Sequence, residues 1–211
     1  NLELKRPQRE DFNEVQVQIG NQKEKMLAVD INRTSTDRSL YGRFVAMVRG
    51  NDLFYDNTDQ TRIYIAPSIT KSWGDRTKLT LFPFWQKDKV DGYAYSPRTR
   101  LPGDPLYGVM PDRFFVGVSG WDRYEQEQQG ISYELEHKFD ERVSFHQKVG
   151  WRKTEVTSRQ TAGVFMPGPD IYRRWGAMID SEATAYFSDQ FVQLHREGKA
   201  GSADTILGFD W

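Results

Sequence analysis

The stretch from Thr61 to Lys87, TRIYIAPSITKSWGDRTKLTLFPFWQK, limits the possible folds more than any other part of this sequence. Ile63, Ile65, Pro67 and Ile69 take every second position of its first half, and Leu79, Leu81, Pro83 and Trp85 do the same in its second half. Side chains of a strand alternate between faces, so each half has one apolar face and one largely polar face. Between them Ser72-Trp73-Gly74-Asp75-Arg76 supplies the Gly-Asp chemistry of a turn joining antiparallel strands. The stretch is therefore a β-hairpin, and each arm approaches the ~9 to 11 residues that a tilted strand needs to cross a bilayer.

Alternation of this kind fits two architectures. In a soluble sandwich the apolar face is a core, whereas in a transmembrane barrel it meets lipid and the polar face lines a wet lumen. Pro67 and Pro83 within the arms argue against a tightly paired soluble core, because proline within a sheet is confined to edges and bulges. The rest of the chain repeats the pattern. Val15, Val17 and Ile19 mark a first strand; Leu27, Val29 and Ile31 a second; Leu40, Phe44, Ala46 and Val48 a third. After the hairpin come Ile131, Tyr133 and Leu135, then Val143, Phe145, Val149 and Trp151, then Tyr186, Val192 and Leu194, and last Leu207, Phe209 and Trp211. That makes about nine strands.

Their connections differ in length in a regular way. Residues 34–39, 72–76, 139–142 and 198–202 are short turns, while 50–60, 88–125 and 153–182 read as long loops; only the first connection, 20–22, breaks the alternation. Short turns at one rim and long loops at the other are the arrangement of an antiparallel up-and-down transmembrane barrel. Composition agrees, since only 37% of the 211 residues are hydrophobic and 14 points of that are aromatic, too little for a thick aliphatic core. A net charge of -1 gives no electrostatic case for nucleic acid, and the absence of cysteine excludes disulfides and thiolate metal sites.

Several blocks, in order, resemble the N-terminal part of the barrel of TonB-dependent ferric siderophore receptors, most closely the ferrichrome and ferrioxamine group. They are NLELKRP at 1–7, RIYIAPSITKSWGDRTKLTL at 62–81, QKD at 86–88, YELEHKFDERVSFHQKVGW at 133–151 and TILGFDW at 205–211. The resemblance implies a 22-stranded barrel around an N-terminal plug, of which residues 1–12 are the plug's tail and linker and 13–211 a partial barrel. It further implies an outer-membrane location, contact with outer-membrane lipid, a ferric siderophore as ligand, and TonB as a partner reached through plug residues expected outside this segment. Gly92-Tyr93-Ala94-Tyr95-Ser96-Pro97 resembles an aromatic segment that touches the siderophore in those receptors. At Ala162 and Val164 the chain departs from the ferrichrome type, which carries tyrosines there.

The candidate ligand-binding residues are Tyr93, Tyr95, Trp121, Phe165, Tyr172 and Trp175, aromatic residues of the two longest loops, with Arg98, Arg100, Arg173 and Arg174 available to a negatively charged ligand. Trp73, Trp85 and Trp151 read as lipid-facing. Glu134 and Glu136, two apart on one strand, could be a hydrolase's carboxylate pair in a soluble glycan-binding or glycan-hydrolysing sandwich. The stronger reading pairs them with Lys148 or Arg152 across a wet lumen. His137, His146 and His195 lack metal-ligand spacing, so neither a metal site, a cofactor nor an enzymatic role is expected. A third reading is a small autonomous barrel with a structural or adhesive role.

Overall fold

The computed structural model describes residues 4–92, 113, 115, 117–165, 172–198 and 201–211. Nine strands form one antiparallel sheet in which each strand pairs with its neighbours in sequence, leaving β1 and β9 at the edges. They are β1 (Phe12–Ile19), β2 (Lys25–Thr34), β3 (Leu40–Asp52), β4 (Asp59–Trp73), β5 (Thr77–Asp91), β6 (Arg123–Lys138), β7 (Val143–Phe165), β8 (Tyr172–Gly198) and β9 (Gly201–Asp210). The hairpin that anchors the sequence pattern is β4–β5, and Gly74 takes φ +59° at its turn, a conformation a side chain would strain.

Register keeps one continuous face apolar. Val15 lies opposite Val29, Val29 opposite Ala46, Ala46 opposite Ile65, and Ile65 opposite Trp85. The series continues through Ile131 opposite Trp151 and Trp151 opposite Tyr186. These side chains face outward, and Val17 is 68% exposed and Ile19 82%. On the inward face the only buried hydrophobic residues among those described are Tyr41, Ala66 and Phe82, beside buried Asp30, Asn32, Ser68, Thr70, Ser72, Thr80 and Ser132. A water-soluble sheet sequesters its apolar face; this one does the reverse, which is stable only where the outer medium is itself apolar. A soluble sandwich is thereby unsupported.

Pro67 and Pro83 sit in central strands, a departure from the expected edge or bulge. The β4–β5 pairing lapses around them, while Phe44 still pairs with Pro67 and Ile131 with Pro83. Both missing N–H groups thus fall at one place between the two strands, and the ladders to β3 and β6 stay whole.

Aromatic girdles bound the apolar band. Trp73 and Phe139 project at the short-turn rim; Trp85, Trp151 and Tyr186 end the band above. From Trp73 to the residue opposite Trp85, β4 rises roughly 27 Å, which a tilt of about 40° brings near the height of a barrel's apolar band. Immediately beyond, the outward positions turn ionic. Trp85 Nε1 donates to Glu127 at 2.8 Å, Lys87 lies 3.7 Å from Glu127, and Lys153 pairs with Glu155 at 2.9 Å and Glu182 at 3.2 Å.

One expected loop is mostly strand. The 153–182 segment continues β7 to Phe165 and starts β8 at Tyr172, so the connection shrinks to 166–171. Residues 160–165 of β7 rise beyond the top of β6, where Arg123 pairs with Arg159, by roughly 20 Å. The other long connections also shorten, to 53–58 and 92–122.

Candidate ligand-facing surface: the inner wall and the long-loop rim

The inward face carries two adjoining features. The lower one lies beneath residues Leu4–Glu10, which pair with no strand and run across the inner wall. Lys5 reaches Asp30 at 2.7 Å, and the Arg6 guanidinium pairs with Glu134 and sits 5.7 Å over the Phe82 ring. Glu134 also holds Lys148 at 3.2 Å, and Glu136 lies 3.7 Å from Lys78, so each carboxylate of the sequence pair has a cationic partner.

Beside Leu4 and Arg6 opens a cavity of about 190 Å³ whose floor includes Tyr64, Phe82, Phe84 and Phe187, with Gln86, Gln128, Lys148 and Arg152 around it. Its rings are held by missing side chains on the strands they cover. A Cβ on Gly130 would come within 2.6 Å of Phe84, and one on Gly150 would run into the Phe187 ring. The two glycines thus let both rings lie flat on the wall, as an aromatic residue covers a cross-strand glycine. Arg152 lies 5.3 Å from the Phe84 centroid, presenting a cation above an aromatic surface.

Higher up, the connections at the long-loop rim are tied together. Asp52 N–H donates to Gln22 O at 2.7 Å, Lys23 pairs with Asp52 at 2.6 Å, and Asp56 N–H donates to Arg113 O at 2.8 Å. Hydrogen bonding and charge from Asp52 push the Lys23 amine above its ordinary range. Buried Asp122 accepts from the N–H groups of Val118 and Thr161, pinning the end of the β5–β6 connection to β7. Trp121 beside it lies against Gly176 and 5.4 Å from the Arg159 guanidinium.

Of the six candidate residues, Tyr93 and Tyr95 lie outside the described residues. Phe165 and Tyr172 are not in a loop; they pair across the tip of the β7–β8 hairpin. Trp175 is on β8, opposite Ala162 and 53% exposed. It alternates with Gly176, whose outward side Trp121 covers, so Trp121 and Trp175 occupy opposite faces of the hairpin. Sequence reading missed the inward aromatic floor, although Phe82 and Phe84 fall on the polar phase of the β5 alternation. It missed buried Asn32 as well, whose Nδ2 donates to the carbonyls of Gln8 and Glu10 at 2.7 Å each and whose Oδ1 accepts the Gln8 N–H at 2.9 Å. Among the histidines, His137 Nδ1 lies 2.8 Å from Thr77 Oγ1, His146 stacks on Phe191 at 4.6 Å, and His195 Nδ1 lies 2.8 Å from Asp204.

An inside-out sheet with girdles, staggered loops and a lined inner wall can be compared with known proteins. No family model matches the chain. It is 28% identical over 210 residues to the ferrioxamine receptor of Yersinia enterocolitica, covering 98% of this chain and 29% of that one. It is 23% identical over 214 residues to the ferrichrome outer membrane transporter/phage receptor of Escherichia coli K12, covering 98% and 28%. The chain matches the barrel of ferric siderophore receptors. Among solved structures, the ferripyoverdine receptor of the Pseudomonas aeruginosa outer membrane superposes with a TM-score of 0.84 at 17% identity, over 98% of this chain and 28% of that one. The ferric-catecholate import receptor of Escherichia coli K12 in its open form gives 0.82 at 17% identity, over 98% and 34%. These structural likenesses bear on the fold. The chain spans 29% of the ferrioxamine receptor and so corresponds to a segment of such a barrel.

Proposed function

We propose that this chain is the N-terminal part of the barrel of an outer-membrane receptor that captures a ferric siderophore and admits it with energy relayed by TonB through a plug domain. The observation that carries this reading is the ferrioxamine-receptor match over 98% of the chain, laid on a sheet whose outward face is apolar. Residues 1–12 are then the plug's tail and linker, and 13–211 the partial barrel. The long-loop rim is extracellular and the short-turn rim periplasmic. Tyr93, Tyr95 and Trp175 supply flat apolar faces toward an organic iron chelate above the lumen, Trp121 serves them by anchoring the returning loop, and Phe165 and Tyr172, paired at the hairpin tip on the same register phase as Gly176, close the hairpin above it. Arg98, Arg100 and Arg173 meet any negative charge the chelate carries, while Arg174 falls on the outward phase of the hairpin with Gly176. Fe(III) arrives with its coordination sphere filled by the siderophore, so the protein needs no metal ligands of its own.

Equilibrium binding to the full-length receptor in detergent tests this reading, with ferric hydroxamate and ferric catecholate chelates as probes. Binding of one class is expected, and replacement of Tyr93 and Tyr95 together by Ala should weaken it by about 1 to 2 kcal/mol or more. No binding of either class would discard the function; tight binding unchanged in the double variant would discard the site.

A further inference from the structure

The outward face is not apolar throughout. Alternation from Ile131 and Trp151 puts Tyr133 on β6, Gln147 on β7, and Ser188 and Gln190 on β8 among the outward residues. Gln147 lies midway along β7 between Val143 at the short-turn end and Trp151 at the girdle, and Gln190 lies midway along β8 between Leu194 and Tyr186. Tyr133 sits between Leu135 and Ile131 on β6. These polar side chains are therefore at the centre of the band, where the surrounding hydrocarbon offers neither donors nor acceptors.

Three of them are joined in one direction across the strands. Tyr133 Oη donates to Gln147 Oε1 at 2.9 Å, and Gln147 Nε2 donates to Gln190 Oε1 at 3.0 Å. The run of bonds ends on Gln190 Nε2, which has no acceptor among the described residues, and begins on a Tyr133 oxygen that has no donor among them. Each end thus carries what the other lacks, and turning both amides over reverses the bonds without altering that complementarity. Leu135, Val149 and Val192, the next outward residues on the three strands, surround the trio with apolar side chains. Polar groups at this depth in a membrane face protein or water rather than lipid tails, and where they face protein they hydrogen-bond across the contact.

We propose that this patch on β6–β8 is a contact between two copies of the receptor within the outer membrane. A two-fold axis along the membrane normal, passing beside Gln147, runs the second copy's polar strip in the opposite direction, so Gln190 Nε2 of each copy meets Tyr133 Oη of the other. One self-complementary surface then satisfies both ends of both strips, and the assembly closes at two copies. Two convex barrel walls touch over only a few strands, and the trio spans three. The inference uses the lipid-facing side alone and stands apart from any ligand at the rim.

The test uses the full-length receptor. With p-benzoylphenylalanine in place of Val149, the outward neighbour of Gln147, illumination of intact cells should give an adduct of twice the receptor's mass. In mild detergent the receptor should sediment as a concentration-dependent dimer, and Gln147→Leu combined with Gln190→Leu should raise the dissociation constant at least about tenfold, a difference of about 1.4 kcal/mol. Leucine suits a lipid-facing position, so the double variant should keep its heat-modifiable mobility. Should it not assemble, Tyr133→Phe, which removes one hydroxyl and keeps the ring, decides by the same measurement. A receptor that stays monomeric at every concentration, a dissociation constant unmoved by these substitutions, or an adduct only with lipid or with a protein of another mass would overturn the proposal.

Discussion

His195 and Asp204 face one another near the β8–β9 turn, on the short-turn side of Leu194 and outside the apolar band. The hydrogen bond to Asp204, then its charge, then Glu197 raise the His195 pKa above its ordinary value of 6.5. A raised folded-state pKa means that the stabilisation is fully present below about pH 6.5 and is lost as pH rises through the higher folded value. Hydrogen-exchange protection of residues 196–198 and 201–203 should therefore fall from mildly acidic to mildly alkaline pH, and His195→Gln should remove that dependence. Asp37 at the β2–β3 turn behaves in the opposite sense. Hydrogen bonds from Ser35 and Ser39 hold its carboxyl well below the usual range, so its contribution is constant at neutral pH and lost only in strong acid. Asp140 is depressed for the same reason by the N–H groups of Arg142 and Val143. An unchanged protection profile for residues 196–198 and 201–203 from mildly acidic to mildly alkaline pH would show the His195–Asp204 contact to be incidental.

Among the elements, the β7–β8 hairpin carries the functional argument because it alone among the described strands projects well above its neighbours. Alternation along β8 puts Trp175 on the inward side and Gly176 on the outward side, where Trp121 and Arg159 pack. In the full-length receptor Trp175→Ala should weaken chelate binding by about 1 to 2 kcal/mol. Trp121→Ala should leave affinity within about twofold and instead expose the β5–β6 connection to protease, since it removes packing and not a ligand contact. If Trp121→Ala costs more affinity than Trp175→Ala, the two faces have been assigned the wrong way round.

For the whole molecule, the outward face fixes the environment and the two rims fix the orientation. Lipid contact requires every backbone group in the band to be paired, which the ladder from β1 to β9 provides internally while leaving the outer edges of β1 and β9 for further strands. This chain contributes no cysteine, so in a full-length receptor stripped of any others single cysteines report topology directly. In intact cells expressing the full-length receptor, an impermeant thiol reagent should label Asn57→Cys at the long-loop rim and leave Asp140→Cys at the short-turn rim unlabelled. Labelling in the reverse pattern would invert the proposed orientation.

The band itself was legible from residue order. Where one face of a strand meets an apolar medium, as from Ile63 to Ile69 and from Leu79 to Trp85, selection for alternation leaves a period-two signal that needs no coordinates. Above the girdle both faces meet water, so Lys153, Glu155 and Glu182 carry no such signal and β7 and β8 read as loop although their pairing continues. Hydrogen bonding between backbones, which is blind to side-chain polarity, extended those strands. The inner wall was likewise beyond local pattern: Asn32, Arg43, Ser68 and Glu134 come from strands far apart in sequence, and only the common register of β2 to β6 brings them onto the one segment Leu4–Glu10. Sequence determined which face of each strand is apolar, because that depends on neighbours two residues away; tertiary structure decided what the polar face grips, because that depends on neighbours a hundred residues away.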